Sequence, residues 1–156
     1  MENLVIRKAE IQDLMNVQSL SQELMEYEVA NLDNGILDLD WSLNDKGKEY
    51  FENQILSNIV YVAQIDDKCI GYISGNLNEN EPWYNVQIAY IYNLYVVETY
   101  RSNGIGKLLI DEFRKSCLSK DIHHINVTTL SNNDKAIKFY NKYNFKTYNT
   151  QLICID

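Results

Sequence analysis

The chain has 156 residues, 46% of them hydrophobic, which is enough for one substantial core, and residues 1–156 read as a single domain. Its net charge of −8 is unevenly spread: residues 1–60 carry 12 acidic and 4 basic side chains, residues 61–99 carry 5 and 1, and residues 100–156 carry 5 and 9. This balance argues against a nucleic-acid partner. No apolar run reaches membrane-spanning length and Met1-Glu2-Asn3-Leu4 shows no signal-peptide pattern, so a soluble cytoplasmic protein with no membrane partner is expected.

Leu4 to Lys8 reads as a short first strand. Ile11, Leu14, Val17, Leu20 and Leu24 give Ile11 to about Tyr27 the spacing of an amphipathic helix. That helix leads through Glu26 and Glu28 into an acid-rich connection, Asp33 to Asp45, which contains Asp38, Asp40 and Trp41. A second helix is expected over about Asp45 to Leu56, burying Phe51 and Ile55. Ile59 to Ile65 and Cys69 to Gly75 form a hairpin around Asp66-Asp67-Lys68. Asn78 to Trp83 is a polar loop with the chain's one proline, and Val86 to Val97 is a long strand. A helix ending near Ser119 follows, then a strand from Ile122 to Thr129 and a last helix capped by Asn133. Phe145 to Asp156 closes the sheet as two short strands. Because a helix joins the long strand to the next one, that strand pair is expected to be parallel. Cys69, Cys117 and Cys154 are scattered, which suits a reducing compartment, and the adjacent His123-His124 lack ligand spacing, so no metal site is expected.

The informative stretch is Tyr92 to Leu109, YNLYVVETYRSNGIGKLL. A buried strand ends at Leu94-Tyr95-Val96-Val97, a polar turn follows, and Gly104-Ile105-Gly106 opens a helix. A strand, a glycine turn and a helix N-terminus together offer an anion free amide N–H groups and the positive end of a helix dipole. Gly106-Lys107 is followed by Leu108 with no glycine five residues earlier, so this is not a P-loop. Leu109 stands where a dinucleotide fingerprint needs its third glycine.

Arg101 to Gly106 does satisfy R-x-x-G-x-G after an L-x-V strand end, and it resembles the acetyl-CoA signature of the GNAT superfamily of N-acetyltransferases. Asn133-Asp-Lys-Ala136-Ile-Lys-Phe-Tyr140, with Tyr143-Asn144-Phe145 after it, resembles that family's second signature. Asn144 replaces the usual glycine, and asparagine is the next most tolerant residue at a left-handed helix end. The resemblance implies an α/β (α+β) fold: a mixed, mostly antiparallel twisted sheet with a central splayed parallel strand pair, flanked by about four helices.

It also implies acetyl-CoA as co-substrate, held by Leu94, Tyr95 and Val96 at the strand end, by Arg101, Ser102, Asn103, Gly104, Ile105, Gly106 and Lys107 in the turn, and by Asn133. Tyr140 matches the tyrosine that protonates the departing thiolate, and the Val96 N–H is placed to polarise the thioester carbonyl. Glu26, Glu28, Trp41 and Tyr92 fall on the acceptor side, where carboxylates and aromatics suit an ammonium group. The strand positions where many members carry a glutamate base are here Tyr90, Tyr92 and Asn93, so the base is unassigned. The leading reading is direct acetyl transfer to a small cationic amine such as a polyamine, an aminoglycoside or an amino-acid derivative. A protein or peptide acetyltransferase and a non-catalytic acyl-CoA-binding regulatory module are the alternatives, and a homodimer through the C-terminal strands is compatible with each.

Overall fold

The computed structural model describes residues 3–32, 35–77 and 82–154. In chain order the elements are β1 (Leu4–Lys8), α1 (Leu14–Asn31), α2 (Asp45–Ser57), β2 (Ile59–Ile65), β3 (Lys68–Asn76), β4 (Ile88–Val96), α3 (Ile105–Leu118), β5 (His124–Val127) and α4 (Asp134–Lys142). The strands lie in one sheet in the order β1-β2-β3-β4-β5. Pairing is antiparallel from β1 to β4 and parallel between β4 and β5.

Alternating side chains send two apolar sets to opposite faces of the sheet. On one face Val60, Val62, Tyr72 and Tyr95 are buried beneath α1 and α2, with Val17, Leu20, Phe51 and Ile55 packed on them. On the other, Ala63, Ile73, Ala89 and Ile91 receive Ile105, Leu109, Ile110, Phe113 and Cys117, which share one face of α3. Asp66 and Asp67 both have positive φ (47° and 63°), the backbone of a two-residue hairpin turn whose twist matches its strands. At the far edge Arg7 grips Asp13 through two hydrogen bonds, 2.7 and 2.8 Å, fixing the end of β1 to the turn that opens α1.

Three boundaries differ from the expectations. Ile11–Asp13 is a 3-10 turn and α1 continues to Asn31, so Glu26 and Glu28 lie on the helix instead of leading into a connection. β4 begins at Ile88, and β5 spans only His124–Val127. Phe145 to Cys154 forms no strand: the segment beyond Phe145 is exposed throughout, and an extended segment needs a paired edge to become a strand. Asp33 of the acidic connection, Asn78 to Glu81 of the polar loop and the final Ile155-Asp156 lie outside the described residues. Among those described, no helix is long and apolar enough to cross a membrane, and no group of acidic, histidine or cysteine side chains is arranged to hold a metal.

Candidate active site

The site begins where the sheet opens. In the ladder with β3, Ser74 pairs with Asn93 and Gly75 with Ile91, which leaves Tyr92 as an extra residue, a β-bulge. Pairing with β5 stops at the same level, since its last partners are Ile91 and Val127. From Tyr92 to Val96, β4 therefore has β3 on one side and a gap on the other. Val97 donates its N–H to Ile70 across the β3 ladder at 2.9 Å. Backbone groups alternate sides along a strand, so those of Leu94 and Val96 turn into the gap. The splay expected from the resemblance is thus produced by a bulge in β4 and an early end to β5.

Beyond Val96 a 3-10 turn, Glu98–Tyr100, leads into the glycine loop. Ser102 and Gly104 take the left-handed conformation, with φ of 65° and 82°. Asn103 donates its side-chain amide to the carbonyls of Tyr100 and Arg101 (3.2 and 3.1 Å), which stiffens the loop. Gly104 is the N-cap of α3, and no side chain caps the first-turn amides. A Cβ on Gly104 would meet nothing within 4 Å, whereas one on Gly106 would sit 2.9 Å from the Phe139 ring. One side of this helix start is consequently open and the other is pressed against α4. The first-turn N–H groups and the positive end of a four-turn helix face an unfilled approach, an arrangement that fits a phosphate group.

The other residues that the resemblance assigns to the cofactor have partners within the chain. Lys107 pairs with Asp111 one turn along α3. Asn133 is buried and accepts the Ala136 N–H at 3.0 Å, so its side chain serves as the N-cap of α4. Arg101 turns inward: its Nε donates to the Val96 carbonyl at 2.8 Å, and its guanidinium lies over the rings of Tyr95 and Tyr27, 5.3 and 5.7 Å from their centroids.

Tyr140 is half-buried on α4, edge-on to Phe139 and Phe145, each at 5.3 Å. Burial raises its pKa above the usual tyrosine value, and the charge of Glu28 adds to the shift. Its hydroxyl, like any phenol, is protonated at neutral pH, and the shift makes it a weaker acid. The end of α4 is closed by Asn144 in the left-handed conformation (φ 68°), with the Phe145 N–H returned to the Tyr140 carbonyl at 3.1 Å. Arg114 of α3 reinforces that end by donating to the Tyr143 carbonyl.

α1 forms the opposing wall. Asn132 donates to the Leu32 carbonyl at 2.9 Å, and the Lys135 ammonium lies 5.7 Å from the centroid of Tyr27, so the end of α1 meets the start of α4. Between α1 and the strand end lies a cleft of about 390 Å³, lined by Glu23, Glu26, Tyr27, Tyr95, Glu98 and Arg101 among others. Tyr95 donates its hydroxyl to Glu23 at 3.0 Å, and burial followed by that carboxylate pushes its pKa up to about 12. Trp41 stands apart from this cleft, packed edge-on with Tyr50 and Phe51 at 5.2 and 5.8 Å. Tyr92 occupies the bulge.

The residues missed by sequence reasoning are Glu23 and Tyr27. Their signal was an acid and an aromatic one helical turn apart on the polar side of α1, but nothing local connects that pair to a strand some seventy residues later.

Residues 18–145 match the model of the Acetyltransferase (GNAT) family. N-alpha-acetyltransferase 60 from Danio rerio is 36% identical over 67 residues, which are 41% of this chain and 28% of that protein's own length. Among solved structures, the PaiA N-acetyltransferase from Thermoplasma acidophilum in complex with coenzyme A superposes with a TM-score of 0.82 at 24% identity, covering 96% of this chain and 93% of that one. The aminoglycoside N-acetyltransferase AAC(6')-Iy in complex with CoA gives a TM-score of 0.77 at 15% identity, over 99% and 95% of the two chains. At these identities the structural likeness is one of fold.

Proposed function

The chain belongs to the GNAT acetyltransferase family, and from that premise we propose that it transfers the acetyl group of acetyl-CoA to the primary amine of a small cationic acceptor. The observation that carries the reading is the opening of the sheet at Tyr92 directly beside the uncapped, open start of α3. The chain thereby supplies a slot lined by backbone that β5 does not pair, next to a helix end suited to a phosphate. Acetyl-CoA, when bound, supplies an activated acetyl group and a thiolate leaving group.

The residues of the chain divide the remaining work. First-turn amides of Ile105, Gly106 and Lys107 hold the pyrophosphate, with Ser102, Asn103 and Gly104 shaping the loop. Leu94, Tyr95 and Val96 form the slot wall, and the Val96 N–H is the donor to the thioester oxygen. Tyr140 gives its proton to the departing sulfur. An amine near pKa 10.4 must lose a proton to attack, and Glu26, a carboxylate that lines the cleft, takes that proton through water. Glu23, Glu26 and Glu98 lining the cleft favour an acceptor with more than one positive charge. Cys69 and Cys117 are buried and in no disulfide, which accords with a reducing cytoplasm.

One observation favours a second acceptor class. The 67-residue match is to a protein named as an N-alpha-acetyltransferase, so a peptide N-terminus is the alternative substrate. The deciding experiment is CoA-thiol release from acetyl-CoA against polyamines, aminoglycosides, amino acids and short peptides. Release confined to polycationic small molecules is the expected result. Turnover with peptides alone would move the activity to the second class, and cofactor binding without any release would leave an acyl-CoA-binding module.

A further inference from the structure

Building on the acetyl-transfer reading, we propose that Tyr27 and Arg101 form a positioning clamp that fixes the Val96 peptide for the thioester. The motif alone assigns Arg101 to the cofactor, but its side chain is engaged elsewhere. Nε donates to the Val96 carbonyl at 2.8 Å, and the guanidinium lies over the rings of both Tyr27 and Tyr95. Tyr95 is in turn held by Glu23, one helical turn before Tyr27 on α1. Two residues of α1 and two of the strand end are joined through one guanidinium.

Val96 needs such a device. It stands at the last position of β4, beyond the bulge, with β3 on one side and the gap on the other. No neighbouring strand fixes its gap-facing groups. In extended backbone the C=O and N–H of one residue point to the same side, so a donor that anchors the Val96 carbonyl also aims the Val96 N–H. A flat guanidinium can stack on two rings while donating in its own plane, which a lysine ammonium cannot do. The clamp thus belongs to α1, the same helix that carries the acceptor-side carboxylates.

The test uses the full chain with Tyr27→Leu, Tyr27→Phe, Arg101→Met and the Leu/Met double variant. Three quantities are read: acetyl-CoA affinity by calorimetry, kcat and KM with the best acceptor, and the carbonyl stretch of bound [1-13C]acetyl-CoA by difference infrared. Tyr27→Leu and Arg101→Met are each expected to hold acetyl-CoA within about threefold of the unaltered affinity while kcat falls roughly tenfold or more. The carbonyl band, shifted to lower frequency in the unaltered protein, moves back toward its free position in both. Tyr27→Phe keeps the ring and restores kcat and the band. The double variant is no worse than the poorer single one, because both remove one device.

Affinity lost in step with kcat would make Arg101 a phosphate ligand and overturn the clamp, as would fully additive effects. Should Arg101→Met fail to fold, the Leu and Phe variants of Tyr27 decide alone. If the unaltered protein does not bind acetyl-CoA, the cofactor reading itself has failed and the clamp falls with it. Normal binding with an unmoved band in Tyr27→Leu defeats the clamp only.

Discussion

A Cβ on Gly75 would lie 2.1 Å from the Tyr90 carbonyl oxygen and 2.7 Å from the Phe113 ring, so β3 and β4 approach each other at this point as only glycine permits. This is the level of the Tyr92 bulge and of the last β4–β5 pair. The closeness of two strands on one side of β4 and the opening on its other side belong to a single distortion. Gly75→Ala must push either backbone or a buried aromatic aside, and it should destabilise the fold by about 3 kcal/mol. Urea unfolding will measure this, and an unchanged midpoint would mean that the bulge relaxes freely.

Asp13 provides a separate test at the opposite end of the sheet. It is buried, takes two hydrogen bonds from Arg7 and a third from the Glu10 N–H at 2.8 Å, and its pKa is lowered chiefly by the bond from Arg7. A depressed folded-state pKa contributes stability above the unfolded carboxyl value, about 3.9, and that contribution is lost as pH falls through the folded value. Asp13→Asn should therefore cost about 2 kcal/mol at neutral pH. Its stability curve should converge on that of the unaltered protein below roughly pH 4. Parallel curves would show that the pair contributes no pH-dependent stability.

The glycine loop makes a prediction that separates shape from charge. At Gly104 the backbone is left-handed (φ 82°) and the space beyond is open, so alanine meets strain but no clash. Gly104→Ala should cost about 1–2 kcal/mol of stability and leave acetyl-CoA affinity nearly intact. Gly104→Glu bears similar strain and also sets a carboxylate at the open helix start, so affinity should fall by about two orders of magnitude. Calorimetric titration with acetyl-CoA distinguishes the two. Equal affinities would remove the phosphate from this helix end.

How much of this was legible in the sequence depended on whether the information was local. Arg101 to Gly106, the cap at Asn133 and the left-handed Asn144 are local: each residue type suits its own backbone, and the structure places the last two as expected. The extension of α1 to Asn31 was hidden because its last turn has little apolar periodicity to read, and contacts with Asn132 and Lys135 hold it in place. The strands expected after Phe145 had suitable residues, but that segment lies exposed and pairs with neither edge of the sheet among the described residues. The hydrogen bond from Tyr95 to Glu23 joins residues 72 positions apart, and nothing in either neighbourhood announces it.

Alkaline pH should expose the buried phenols. Tyr95 is pushed up to about 12, by burial first and then by Glu23, and burial also raises Tyr72 and Tyr140. A folded-state pKa above the unfolded value gives stability that is complete below the unfolded value, about 10, and is lost as pH climbs through the folded one. Unfolding should set in between about pH 10 and 12, coincident with the late phase of tyrosinate absorbance at 295 nm. Complete, reversible ionisation of all twelve tyrosines in a folded chain would contradict the burial described.

Tyr140 is where geometry and proposed chemistry meet most directly. Burial, and after it the charge of Glu28, raises its pKa, and its ring is fixed by Phe139 and Phe145. Phenylalanine preserves those ring contacts, so Tyr140→Phe should fold normally and bind acetyl-CoA within about threefold of the unaltered protein. The lost proton donor should reduce kcat by about 10²-fold. A thioester whose thiolate leaves easily without protonation would escape the defect, so an acyl donor with a more acidic thiol should recover much of the rate. Tyr140→Phe turning over at the normal rate with acetyl-CoA would remove this tyrosine from the chemistry. A defect that the acidic thiol fails to relieve would assign it to positioning the thioester instead of protonating the sulfur.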